Sequence, residues 1–235
     1  MKKRSKRYQA AAATFDVDST YALSDAVDKL KAFPAPKFDP TVTLAFSLGV
    51  DPRKSDQMIR GSVALPHGTG KNVRVIVFAT GDAAKAAEGA GAEKVGLDDL
   101  IKEVTDGFLD FDVAIATPDA MASVRKIARV LGPRGLMPNP KTGTVTDDVA
   151  KAVDEVKAGR VDYKVDKVGN ISAAIGKASF TKEQITENAE ALVDSILKAK
   201  PASTKGIYVK RVVIASAMNP GIKLESAVYS PNAQA

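Results

Sequence analysis

The 235-residue chain has no cysteine, one histidine and no apolar run approaching the ~18 residues of a membrane-spanning helix. Without cysteine there is no disulfide, zinc–thiolate site, iron–sulfur cluster or thiol nucleophile, and the composition fits a reducing compartment. With His67 alone, a histidine triad or a two-histidine metal site would rest on one residue in a turn; a packing or hydrogen-bonding role near a domain junction is the simpler expectation. The stretch 1–7 is basic, but the Ala-rich segment after it meets Asp16 too early to be a secretory apolar core. The expectation is a soluble cytoplasmic protein with no membrane partner, metal, cofactor or small-molecule substrate.

Hydrophobic residues at 45% and charged residues at 26% are ordinary globular values, and the length admits one large or two smaller domains. In 41–48, Val42, Leu44, Phe46 and Leu48 alternate with small or polar residues, the period of a half-buried strand. Ile59, Gly61, Val63 and Leu65 repeat it before Pro66-His67-Gly68-Thr69-Gly70 breaks the chain. The texture then changes. Residues 73–79 are nearly continuously apolar, as in a strand covered on both faces, and helical stretches at 82–90, 97–104 and 118–131 surround a strand at 113–116. That alternation predicts a parallel α/β sheet. A Gly/Pro-rich loop at 132–143 and an amphipathic helix at 147–157 closed by Gly159 complete this part.

The first texture then returns. Val161, Tyr163 and Val165 alternate, and a turn at Val168-Gly169-Asn170 predicts a hairpin with 171–175. Thr181 with Gln184 forms a capping box for a helix whose apolar stripe includes Ile185, Leu192 and Ile196, and a strand at 207–216 comes next. The similar flanks predict one discontinuous domain, 1–67 with 160–235, and an inserted doubly wound α/β domain, 68–159. Charge obeys the same division. Each flank carries 11 Lys and Arg against 7 Asp and Glu, and the insert 12 against 14, so the split domain is +8 and the insert −2.

A nucleotide-using α/β enzyme is the rival reading, and its motifs are incomplete. Gly68-Thr69-Gly70-Lys71 resembles the end of a phosphate loop, but residue 65 is Leu, residue 72 is Asn and a strand comes where a helix is required. Gly89-Ala90-Gly91 lacks the third glycine of a dinucleotide loop. Asp98-Asp99 and Asp147-Asp148 sit at predicted helix starts, where carboxylates offset the helix dipole. No catalytic residue is assigned.

RNA binding fits better. Lys37 precedes the first strand, Arg53, Lys54 and Arg60 come after it, Lys164, Asp166 and Lys167 lead into the predicted hairpin, and Lys177 and Ser179 close the next strand. Several cations meeting on one face would supply salt-dependent phosphate affinity, while hydroxyls and main-chain groups test the ribose 2′-OH. The competing expectation is that these lysines only guard strand edges.

Four segments together resemble the L1 family of bacterial large-subunit ribosomal proteins: 37–41; Asp51-Pro52-Arg53-Lys54-Ser55-Asp56-Gln57 with Arg60-Gly61 and Leu65-Pro66-His67-Gly68; Gly132-Pro133-Arg134-Gly135-Leu136-Met137-Pro138-Asn139-Pro140-Lys141; and Gly176-Lys177-Ala178-Ser179-Phe180. The resemblance implies an α/β protein of two domains, a discontinuous α+β domain with an antiparallel sheet formed by both chain ends and an inserted Rossmann-like three-layer α/β domain. It implies a ribosome-bound protein that holds the mobile stalk of large-subunit rRNA, helps release deacylated tRNA from the exit site and represses its own operon mRNA. It also implies that Phe38 and Thr41 are first-strand contact positions, and that Ser216, Met218, Asn219 and Pro220 form a late contact segment. Ala217 and Asn219 stand where many relatives carry Thr and Gly, which removes a hydroxyl and alters the closest approach. Phe38 fits either a stacking contact or a core brace. Arg134 lies in the acidic domain and is given no primary RNA role. Pro66, Gly68, Gly70 and Gly159 flank the two crossings between domains and are the expected hinge.

Overall fold

The computed structural model describes residues 4–204 and 206–229, apart from the side chain of Lys141. The first three residues of the basic amino-terminal stretch lie outside them. From the amino terminus come α1 (Lys6–Ala12), β1 (Thr20–Tyr21), α2 (Leu23–Lys31), β2 (Thr41–Leu48) and β3 (Arg60–Ala64). The middle of the chain forms β4 (Val75–Phe78), α3 (Asp82–Gly89), β5 (Lys94–Gly96), α4 (Asp98–Thr105), β6 (Val113–Ala116), α5 (Met121–Val124), α6 (Ala128–Leu131) and α7 (Val149–Lys157). The last part forms β7 (Arg160–Lys164), β8 (Asn170–Lys177), α8 (Lys182–Lys198), β9 (Val209–Ser216) and β10 (Ile222–Leu224).

This is a mixed α/β chain in two compact units. One joins the chain up to Gly70 to the chain from Val161 onward; the other is Lys71–Arg160. In the first, five strands run in the order β1-β10-β9-β2-β8. All neighbours are antiparallel except β1, which lies parallel to β10. The alternation in β2 decides the packing: Val42, Leu44, Phe46 and Leu48 are buried, and Thr41, Thr43, Ala45 and Ser47 are only half-buried. Under the buried face lie Ala26, Val27 and Leu30 of α2 and Ile185, Ala189, Leu192 and Ile196 of α8. On β2 and β8 the opposite face carries small and hydroxylated side chains, with Ser172 exposed between half-buried Asn170 and Ala174, and on β9 and β10 it carries Arg211, Val213 and Lys223. The Thr181–Gln184 capping box opens α8, satisfying amide groups that have no partner within the helix.

The predicted hairpin is not formed. β7 pairs with β3 in a separate two-stranded sheet, with the Val165 amide donating to the Ile59 carbonyl at 2.9 Å, and β8 pairs with β2. The Val168-Gly169-Asn170 turn is present, but it moves the chain from one sheet to the other. Turn chemistry alone does not distinguish these outcomes, because the competing partners β2 and β3 are remote in sequence.

In the second unit three parallel strands run in the order β5-β4-β6. One face is covered by α4, α5 and α6 through Leu100, Val104, Val124 and Leu131, and the other by α3 and α7 through Ala87, Val149, Val153 and Val156. Burial on both faces explains the unbroken apolar run of β4. The continuous helix predicted for 118–131 is interrupted. Ile127 leaves the α region at φ −97° and ψ 10°, and a 3₁₀ turn separates α5 from α6. No helix among the described residues is long and apolar enough to cross a membrane.

Candidate nucleic-acid interface

Strand register assembles the site. Across β2, Thr41 faces Lys177 of β8 and Val42 faces Ser216 of β9. The Ala178 amide donates to the Pro40 carbonyl at 2.9 Å, and the Ala217 amide to the Thr41 carbonyl at 3.0 Å. These bonds bind the loop before β2 to the segments after β8 and β9. Lys37, Phe38, Thr41, Lys177, Ser179, Ser216, Met218, Asn219 and Pro220 therefore converge at one end of the sheet, from three stretches of chain.

Two large apolar side chains stand in solvent there, Phe38 at 52% and Met218 at 67% exposure. Phe38 is therefore not a core brace. Met218 has φ +69°, the one positive value at a non-glycine residue among those described, and such a conformation costs on the order of 1–2 kcal/mol. The turn is closed by the Asn219 amide donating to the Ser216 carbonyl at 3.1 Å and by Asn219 Nδ2 donating to Ser216 Oγ at 2.8 Å. Ser216 is buried, so its hydroxyl braces the turn from within. Lys177 Nζ donates to Thr41 Oγ1 at 3.0 Å, joining a cation and a hydroxyl at the strand ends. Ser179 Oγ donates to Asp39 Oδ2 at 2.7 Å, so Ser179 holds the Lys37–Phe38 loop in place.

The remaining basic candidates lie elsewhere. Leu48 ends β2 with its amide donating to the Gly169 carbonyl at 2.9 Å, so the turn holding Asp166 and Lys167 sits at the opposite end, about 23 Å away along eight strand residues. Arg53, Lys54, Arg60, Lys164 and Lys167 are exposed. Arg60 and Lys164 sit on the two-stranded sheet. The basic candidates expected to include several cations on one face thus fall at separate places, because β2 carries its flanking segments to opposite ends.

Asp166 has a local task. Its Oδ1 accepts from the Val168 and Asn170 amides, each at 2.8 Å. The Asn170 and then the Val168 amide hold its carboxyl below the ordinary aspartate value. A folded value below the unfolded one means that the contribution to the turn is full at neutral pH and is lost as pH falls through the folded value. An NMR titration should find Asp166 protonating below the usual aspartate range; an ordinary midpoint would remove it as the turn's anchor.

Residues 30–220 match the model of the Ribosomal protein L1p/L10e family. The chain belongs to this family. The Large ribosomal subunit protein uL1 of Mycobacteroides abscessus is 57% identical over 228 residues, and that of Corynebacterium glutamicum is 54% identical over 228 residues; each alignment covers 97% of both chains. The family is one of ribosomal structural proteins, not enzymes.

The strings that resemble the family have structural tasks as well. In the 132–141 loop, the Asn139 amide donates to Thr144 Oγ1 at 2.8 Å, and its carbonyl accepts from the Thr142 and Thr144 amides. Lys71 is paired with Asp112 at 2.6 Å and leads into β4, which ends any likeness to a phosphate loop. At Pro66-His67-Gly68, Asn188 of α8 accepts from the His67 amide at 3.1 Å and donates to the Gly68 and Ile175 carbonyls at 3.0 and 2.8 Å. His67 Nε2 also meets Glu187 at 2.5 Å, a hydrogen-bonding contact with α8. Gly70 has φ +68°, and a Cβ there would meet the Phe180 ring at 2.8 Å. Gly159 has φ +104° just after α7. Among the described residues no group of three or more His, Cys, Asp or Glu could hold a metal ion.

Sequence reasoning missed three participants: Asp39, Asn188 and Arg7. Arg7 Nη2 reaches the Met218 carbonyl at 3.5 Å across 211 positions. A basic amino terminus was the visible signal, but no local pattern ties it to the late turn.

Proposed function

We propose that the chain is a component of the large ribosomal subunit that binds the mobile rRNA stalk through the split domain, with the Phe38–Met218 end of its sheet as the principal contact. The single observation that carries this is the convergence of exposed Phe38 and exposed Met218 beside Lys37 and Lys177. A ring that can stack, a thioether that can pack and two ammonium groups suit the bases, riboses and phosphates of a folded RNA. The open sheet face, with small and hydroxylated side chains on β2 and β8, offers a shallow surface to an RNA minor groove. The names of the relatives support the same partner.

Release of deacylated tRNA from the exit site and repression of the chain's own operon mRNA extend this reading, as does residence in the cytoplasm on ribosomes. An mRNA that copies the stalk would compete for the same end of the sheet. Arg53, Lys54, Arg60, Lys164 and Lys167 then form a second, peripheral phosphate-facing group. Of the expected hinge positions Pro66, Gly68, Gly70 and Gly159, the glycines at 70 and 159 serve as the hinge, since Asn188 fastens His67 and Gly68 to α8; matching solution-scattering profiles with and without RNA, both fitting one rigid conformer, would remove it.

The test is titration of a stalk rRNA fragment at several salt concentrations. Phe38→Ala is expected to weaken binding by roughly tenfold, a stacked base being worth about 1–3 kcal/mol, without changing the salt slope. Unchanged affinity would take Phe38 out of the interface.

A further inference from the structure

The late turn contains an unusual combination. Met218 holds a left-handed backbone with no glycine to relieve it. Arg7 Nη2 donates to the Met218 carbonyl. Arg7 Nε and Asn219 Oδ1 are both buried without a hydrogen-bond partner. One is a donor and the other an acceptor, and Arg7 reaches the carbonyl of Met218, the residue directly before Asn219. Buried polar atoms left unpaired cost about 1–3 kcal/mol each, so a small adjustment that joins them is favourable. Arg7 has a packed support from which to act, because Ala11 of α1 is fully buried in the core of the same unit. Its planar fork has donors enough to serve the Met218 carbonyl and the Asn219 amide oxygen together.

We propose that Arg7 is a positioning residue for the RNA-contacting turn: its guanidinium holds the Met218 carbonyl through Nη2 and the Asn219 side chain through Nε, and so keeps the thioether turned outward. The proposal rests on the reading of this end of the sheet as the RNA surface. It gives Asn219 a specific task. Where a glycine would relax the turn by itself, an asparagine tied on one side to Ser216 Oγ and on the other to Arg7 makes the turn rigid. Arg7 then acts through Met218 and not as a phosphate ligand.

The experiment is titration of a stalk rRNA fragment with the full chain and its variants across a range of salt. Arg7→Ala is expected to raise Kd by about tenfold, the loss of a charge-assisted hydrogen bond, with the slope of log K against log salt unchanged. In a Met218→Ala background the same change is expected to cost less than about twofold, because the residue it positions is gone. Arg7→Gln, which keeps a donor, serves if alanine disturbs α1. A slope shallower by about 0.9, with a cost that persists in the Met218→Ala background, would make Arg7 a direct phosphate ligand and overturn the positioning role. Unchanged affinity of Arg7→Ala while Phe38→Ala and Met218→Ala weaken binding would overturn this role alone. Unchanged affinity in all three would overturn the RNA surface and the role with it.

Discussion

Met218→Asp is expected to weaken binding to the stalk rRNA by roughly a hundredfold while the fold survives. The side chain is 67% exposed, so replacing it removes little from the core. At the interface it loses an apolar contact and places an anion among phosphates; at about 6 Å and an effective dielectric of ~20 one such repulsion is near 3 kcal/mol, and each 1.4 kcal/mol is tenfold. Raising the salt should recover part of the loss, because the repulsion is screened. Met218→Leu should remain within a few fold of the parent. Equal affinities for the Asp and Leu variants would remove Met218 from the contact surface.

Asn188→Ala is expected to destabilise the split unit by about 3 kcal/mol. Asn188 is fully buried, and the change leaves the His67 amide and the Gly68 and Ile175 carbonyls without their partner, at about 1 kcal/mol or more each. Urea unfolding monitored by Tyr fluorescence reads the effect directly. The five tyrosines include Tyr163 and Tyr208, both buried in the core that α8 covers. The physical consequence extends beyond stability. Asn188 fastens 67–68 to α8, so this segment is part of the split unit. A loss below about 1 kcal/mol would show that the crossing is not anchored there.

Strand alternation and helix caps were legible because each is a local pattern with a local cause. The alternation of Val42, Leu44, Phe46 and Leu48 anticipates the burial of β2, and Thr181 with Gln184 marks the start of α8. β5 and β1, at three and two residues, are too short for any period to show. Partner choice was the weaker link. Nothing near 161–175 tells β7 to join β3 or β8 to join β2, and that choice sends Lys164, Asp166 and Lys167 to the far end of the sheet from Phe38. Charge alone could not make this distinction, since both groups are basic. The convergence of Thr41, Lys177 and Ser216 depends on register across three strands, and the reach of Arg7 to Met218 on contact between the two ends of the chain. Resemblance to the family supplied expected contact positions that periodicity could not, while the bond from Asn219 back to Ser216 Oγ became visible only in three dimensions.

RNA held by the split unit is the central claim, and it is tested most directly by replacing residues 71–160 with a short Gly/Ser linker and titrating the stalk rRNA fragment at two salt concentrations beside the intact chain. The expected result is an affinity within about threefold of the parent and an unchanged salt slope, since the principal phosphate contacts remain. Loss of RNA binding by a linker variant that still unfolds cooperatively in urea would contradict it.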